Sequence, residues 1–261
     1  MNVCLLKDND KWQRRVMSSI PDAAAAAAAP MQKKKTVVIA LPGREYSGNF
    51  LVAWTKALHA LWRNGYEAIV VNRFSSFVTF SRMQTLGLDV LRGIDQKPFN
   101  GQLNYDVWVS IDSDVIFAPE QLIDLIESTD VHPVVSGMYR MSDLKNYAVV
   151  ENWDETYFAQ NGTFKFLSVE DVEAWKTTTG QNFMPVSYAG MGFWAMKKEA
   201  LDALKYPFFD APLQEIKMAD GQIVRDMCSE DVAFCKNLEK AGYQVFLATH
   251  IRCGHEKMLV I

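Results

Sequence analysis

No apolar run in the sequence approaches the roughly 20 residues needed to cross a bilayer, and the first residues lack the apolar core of a secretory signal. A soluble protein in a cytoplasm-like compartment is the expectation. Cysteine is scarce, with Cys4, Cys228, Cys235 and Cys253 only. They form no CxxC pair and no tight zinc spacing, which points to reduced thiols and away from a disulfide framework. Positive charge is not in excess either: 27 Lys and Arg stand against 31 Asp and Glu, for a net charge of -4. That balance excludes a surface that coats nucleic acid as a whole, though not a local basic patch. What is present is bulk: 261 residues, 49% of them hydrophobic, enough to bury the core of one large α/β domain with a short extension.

Residues 1–30 read as that extension. A mixed polar segment to Asp22 is followed by the alanine run Ala23 to Ala29 and by Pro30, and Lys33-Lys34-Lys35 marks where a domain over 31–261 begins. From Thr36 the pattern becomes regular. Thr36 to Leu41 is a buried strand running into the turn Pro42-Gly43-Arg44-Glu45-Tyr46-Ser47-Gly48, Phe50 to Trp62 has helical spacing and stops at Asn64-Gly65, and Ala68 to Val71 is a second strand. Ser81 to Leu91 is a helix, Val107 to Ile111 a strand, Pro119 to Ile126 a helix with Pro and Glu in its first turn, and Pro133 to Met138 a strand. Such alternation makes a Rossmann-like layered α/β fold.

The second half is less regular. Asp143 to Thr163 is polar and aromatic, and Val169 to Lys176 is a short helix. Tyr188 to Met196 is an apolar run interrupted by Gly190 and Gly192, which suggests either a close approach to the backbone or a bulge. Ser229 is the expected N-cap of the helix Val232 to Lys240, with Glu230 and Asp231 as acids of the first turn, and Gln244 to Ala248 is a last strand.

The chemistry concentrates at Asp112-Ser113-Asp114, where the strand Val107 to Ile111 ends. Ligands sit at the carboxyl ends of such strands. Two carboxylates leaving alternate positions point the same way and repel unless a cation lies between them, so a divalent metal is the first expectation.

The order of these parts resembles the GT-A glycosyltransferases, particularly the family 2-like enzymes of bacteria and viruses. The resemblance rests on the first strand and its turn, Asp112-Ser113-Asp114 as a DxD motif, Ala189-Gly190-Met191-Gly192-Phe193, Glu230-Asp231, and Gly254-His255, and it covers about Thr36 to Glu256. It implies a GT-A-like Rossmann-type layered fold with a mixed, mostly parallel central sheet. It also implies transfer of a sugar from a nucleotide diphosphate donor, UDP being the commonest nucleotide, to an acceptor hydroxyl, with inversion. Mn2+ or Mg2+ would be held by Asp114 and by Asp112, directly or through water, with His255 as third ligand and His250 a weaker choice. Asp231 would be the general base, beside Glu230, although acids are favoured at helix starts in any case. Pro42, Arg44 and Tyr46 would bracket the nucleoside, Arg82 would pair with phosphate or sit exposed on its helix, and Gly190 and Gly192 would admit the sugar. Trp153, Trp175 and Trp194 would be an acceptor platform or simply core. The acceptor implied is a glycan, a protein or a hydroxymethylated DNA base, in a host cytoplasm if the source is viral.

Two other functions fit parts of the pattern. A haloacid-dehalogenase-like phosphatase would use Asp112 as nucleophile, but its aspartate strand normally comes first in the domain. A sugar-nucleotide-binding module without turnover would keep the fold and have no use for Asp231.

Overall fold

The computed structural model describes residues 34–218 and 220–257; the expected 1–30 extension and Lys33 lie outside the described residues. Strand β1 (Thr36–Pro42) leads through the turn at Gly43 to helix α1 (Gly48–Arg63), which Ser47 caps by accepting from the Phe50 N–H at 3.0 Å. Gly65, at φ 82°, supplies the left-handed residue beyond α1, and β2 (Glu67–Arg73) follows. The helix expected over Ser81 to Leu91 is instead α2 (Val78–Thr85) and two 3-10 turns, because Gly87, at φ +65°, ends it and Asp89 caps the next turn from the Leu91 N–H. Then come β3 (Val107–Ile111), the two-residue β4 (Val115–Ile116), α3 (Pro119–Ser128) and β5 (Val134–Met138).

The irregular half resolves into β6 (Val149–Val150), α4 (Glu155–Asn161), α5 (Val169–Thr179), β7 (Phe183–Val186), β8 (Tyr188–Ala189), β9 (Phe193–Lys197) and α6 (Lys198–Asp202). A detached hairpin, β10 (Leu213–Lys217) and β11 (Ile223–Met227), precedes α7 (Glu230–Lys240), β12 (Val245–Arg252) and β13 (Gly254–His255). The run expected as one glycine-broken strand over Tyr188 to Met196 is thus two strands either side of the bend at Gly190 to Gly192.

The central sheet has seven strands in the order β2-β1-β3-β9-β5-β12-β7. Five run one way and only β9 and β7 oppose them, so the sheet is mixed and mostly parallel, as expected. Strand alternation gives β1 two buried faces. Val37, Ile39 and Leu41 meet α1 and α3 through Phe50, Leu61, Leu122 and Ile126, while Val38 and Ala40 join a core with Met83 of α2, Val172 of α5, Leu201 of α6 and Phe234 of α7. The result is three layers, helix over sheet over helix. Each fully buried side chain of Phe193 or Leu61 type contributes about 1.5–3 kcal/mol. This double-sided packing fixes the carboxyl ends of β1, β3 and β5, where the candidate site lies.

Candidate active site

Asp112 and Asp114 do not diverge from a continuing strand. Strand β3 stops at Ile111, and the Val115 N–H donates to the Asp112 carbonyl at 3.1 Å, so residues 112–115 form a tight turn. Alternation therefore no longer governs where the two carboxylates point, and they enter different surroundings.

Asp112 turns toward Arg82. Arg82 Nη1 and Nη2 donate to its two carboxylate oxygens at 3.0 and 3.1 Å, Nη1 also reaches Ser110 Oγ at 3.3 Å, and Nε donates to Glu230 at 3.2 Å. Arg82 lies in the last turn of α2, not at the head of a longer helix, and its side chain is only 4% exposed. The exposed helix-face arginine is excluded, and the fork expected for a phosphate is engaged by protein carboxylates. Burial opposes the Arg82 charge, but Asp112 and Glu230 more than offset it, so the guanidinium is held charged above its ordinary range. Burial first, and then neighbouring Asp231, lift Glu230 above the usual carboxylate range despite Arg82.

Asp114 turns the other way. The two-residue ladder of β13 with β4 sets His255 opposite Val115, and the Glu256 N–H donates to the Asp114 carbonyl at 2.7 Å. His255 Nε2 then lies 3.2 Å from Asp114 Oδ2, and Lys257 Nζ donates to the same oxygen at 2.6 Å. The other ring nitrogen, Nδ1, is 2.6 Å from the Arg140 carbonyl, which can only accept, so Nδ1 carries a proton. His255 Nε2 therefore points at the same Asp114 oxygen that Lys257 reaches. Partial burial would raise the Asp114 pKa, but the hydrogen bonds from His255 and Lys257 bring it down to about 2. Among the described residues no three His, Cys, Asp or Glu side chains are grouped to hold a metal. The expected trio is split: Asp114 and His255 come together, and Asp112 is on Arg82.

Asp231 sits in the first turn of α7. Tyr188 donates to its Oδ2 at 2.8 Å, and Ser229 Oγ and the Val232 N–H, at 2.9 Å, donate to Oδ1. Ser229 holds the N-cap position but makes no backbone cap bond, since its hydroxyl is used on Asp231. Burial and the Asp231 charge push the Tyr188 hydroxyl far above its ordinary range, so it stays a donor.

Gly190 and Gly192 do face a close approach, from Tyr139. A Cβ on Gly190 would lie 2.5 Å from the Tyr139 hydroxyl, and one on Gly192 would lie 2.8 Å from its ring. Tyr139 Oη accepts from the Gly192 N–H at 3.0 Å, and its ring meets His255 edge-on at 4.8 Å. In turn the Asp112 N–H donates to the Gly192 carbonyl at 2.9 Å. Pro42 ends β1 at the rim. Tyr46 packs on Phe50 at 4.8 Å and points its hydroxyl at the Leu41 carbonyl, so its ring braces the turn. Arg44 is exposed and lies 5.8 Å from the Phe74 ring. Trp194 is fully buried core, its Nε1 donating to the Gly190 carbonyl at 2.8 Å. Tyr139, Tyr188 and Lys257 were not expected from the sequence. The glycines themselves were the signal for Tyr139, since a missing Cβ lets a neighbouring group come close to the backbone.

No protein-family model matches the chain, and no curated protein matches it in sequence. Among solved structures it is similar to GalNAc-T7 with UDP, GalNAc and Mn2+, at a TM-score of 0.51 and 10% identity, over 86% of this chain and 43% of that one. It is also similar to A197 from STIV, at a TM-score of 0.45 and 17% identity, over 87% of this chain and 97% of that one. The fold is GT-A-like, and it is the fold in which a strand-end carboxylate and a late histidine meet here.

Proposed function

We propose that the protein transfers a sugar from a nucleotide diphosphate donor, with UDP-sugars the first to test, to an acceptor hydroxyl with the help of a divalent ion. The observation that carries this reading is the convergence of Asp114 Oδ2 and His255 Nε2 at the carboxyl end of β3, within a GT-A-like fold. Their donor set suits Mn2+ or Mg2+, with water and diphosphate oxygens completing the shell and Asp112 contributing through water. Once bound, the ion would stabilise charge gathering on the departing diphosphate. Lys257 adds a point charge suited to a phosphate oxygen.

In this reading Asp231 accepts the proton of the acceptor hydroxyl, and its hydrogen bonds from Tyr188 and Ser229 fix its orientation. Such a base suits transfer with inversion. Glu230 acts through Arg82, which it helps to hold against Asp112. Pro42 and Arg44 border the nucleoside side, and Gly190 and Gly192 leave the space that Tyr139 fills. The acceptor class is a glycan, a protein or a hydroxymethylated DNA base. The phosphatase alternative is disfavoured because the buried Arg82 guanidinium bonds both oxygens of Asp112, which weakens them as nucleophiles.

The test is nucleotide diphosphate release from a panel of nucleotide sugars, with and without Mn2+. Metal-dependent release is expected with at least one donor. Absence of both turnover and metal-dependent nucleotide binding would overturn the proposal, and binding without turnover would favour a non-catalytic module.

A further inference from the structure

The two edges of the central sheet are unlike. Strand β7 has four residues and carries Pro185, which cannot extend a ladder. Strand β2 has seven residues, Glu-Ala-Ile-Val-Val-Asn-Arg, with neither proline nor lysine, and among the described residues only β1 pairs with it. Its backbone toward β1 is identified by the Glu67 N–H donating to the Lys35 carbonyl at 2.9 Å and by the Arg73 carbonyl accepting from Gly43 at 3.1 Å. Residues alternate along a strand, so Ala68, Val70 and Asn72 turn their N–H and C=O groups outward.

That outward row is self-complementary. A two-fold axis through Val70 sets Val70 against its own copy and Ala68 against Asn72, all in positions that exchange both N–H···O bonds. The same register sets Ile69 against Val71 and Glu67 against Arg73 at each end, opposite charges directly across from one another, with Glu67 also bonded within its own chain, where its Oε2 accepts from Thr36 Oγ1 at 3.3 Å. Arg73 Nη1 already donates to the outward Asn72 carbonyl at 2.8 Å, and the pairing asks a second bond of both groups, for which the carbonyl has a second lone pair and the guanidinium further N–H donors. A strand pair alone is narrower than the roughly 1,200 Å² of a specific interface. Val70, Phe74 and Phe77, which are 44%, 54% and 68% exposed on or beside the edge, supply further apolar area.

We propose that β2 is the pairing edge of a two-fold homodimer, in which two seven-stranded sheets join antiparallel through Val70 into one continuous sheet. The occupant is a second copy of this chain, because the charge order Glu67 to Arg73 is its own complement under that axis. The antiparallel junction directs the two candidate active sites to opposite rims, so neither site needs the other copy.

Sedimentation equilibrium of the full chain tests this. Wild type is expected to dimerise at micromolar concentration. Val70→Lys brings two ammonium groups together on the axis and is expected to give monomer. Glu67→Arg and Arg73→Glu, both at the exposed surface, should each weaken the dimer about tenfold, and the double variant should restore it. Circular dichroism checks that each variant folds, and the two charge variants carry the test if Val70→Lys does not. A monomeric wild type, single variants that dimerise like wild type, or a charge swap that fails to restore association would each overturn the proposal.

Discussion

Asp112 and Asp114 leave the same strand end one residue apart and end in opposite environments. Asp112 is tied on both oxygens to an arginine that is 4% exposed, in a closed network with Ser110 and Glu230. Asp114 is 40% exposed and meets His255 and Lys257, groups brought from the far end of the described chain. The difference teaches that one motif divides into two tasks. The first aspartate holds the floor together from α2 to α7, and the second faces solvent with His255 and Lys257 on one of its oxygens.

The sharpest way to break this division is to remove the arginine. Arg82→Leu strands two carboxylates in a largely buried site and should cost about 3–5 kcal/mol of stability in urea denaturation. A loss below about 1 kcal/mol would mean that Asp112 and Glu230 simply turn to water. Asp114→Asn should do the reverse, leaving the melting temperature close to wild type while metal-dependent nucleotide diphosphate release falls by on the order of 10²–10³-fold. Equal damage to stability and activity would erase the contrast.

Tyr188→Phe removes one donor from Asp231 and should lower kcat on the order of tenfold with little change in KM, at about 1 kcal/mol of stability. Unchanged kcat would take the Tyr188–Asp231 pair out of the proposed proton transfer. The smallest effect concerns pH. Asp114 is depressed from 3.8 to about 2 on folding, so its contribution is complete above the ordinary value and is lost as pH falls through about 2. At 40% exposure, solvent screening keeps this below about 1 kcal/mol. Urea midpoints measured down to that pH should fall more steeply for wild type than for Asp114→Asn, and parallel curves would contradict it.

The strands and helices that pack on two faces were legible because burial writes a period into the sequence: β1, β3, α1 and α3 lie where Thr36 to Leu41, Val107 to Ile111, Phe50 to Trp62 and Pro119 to Ile126 placed them. The extent of the last strand was not, since Thr249 to Arg252 alternates less clearly in composition yet belongs to β12. Within the site, a polar residue shows its type but not its partner. Arg82 looks like any helical arginine until α7 delivers Glu230 to it, and the turn at 112–115 overrides the alternation that would have aligned the two aspartates. Pairing between distant segments, not local propensity, decides both.

Strand β9 carries a consequence for the order of folding. It lies antiparallel between β3 and β5, although both of those precede it in the chain. Until Phe193–Lys197 is inserted, Val-Trp-Val-Ser-Ile and Val-Val-Ser-Gly-Met each present an unpaired apolar edge. The sheet therefore cannot grow outward strand by strand from β1. Its centre closes through contacts distant in sequence, the class of pairing that slows folding and leaves strand edges open to other chains until it is made.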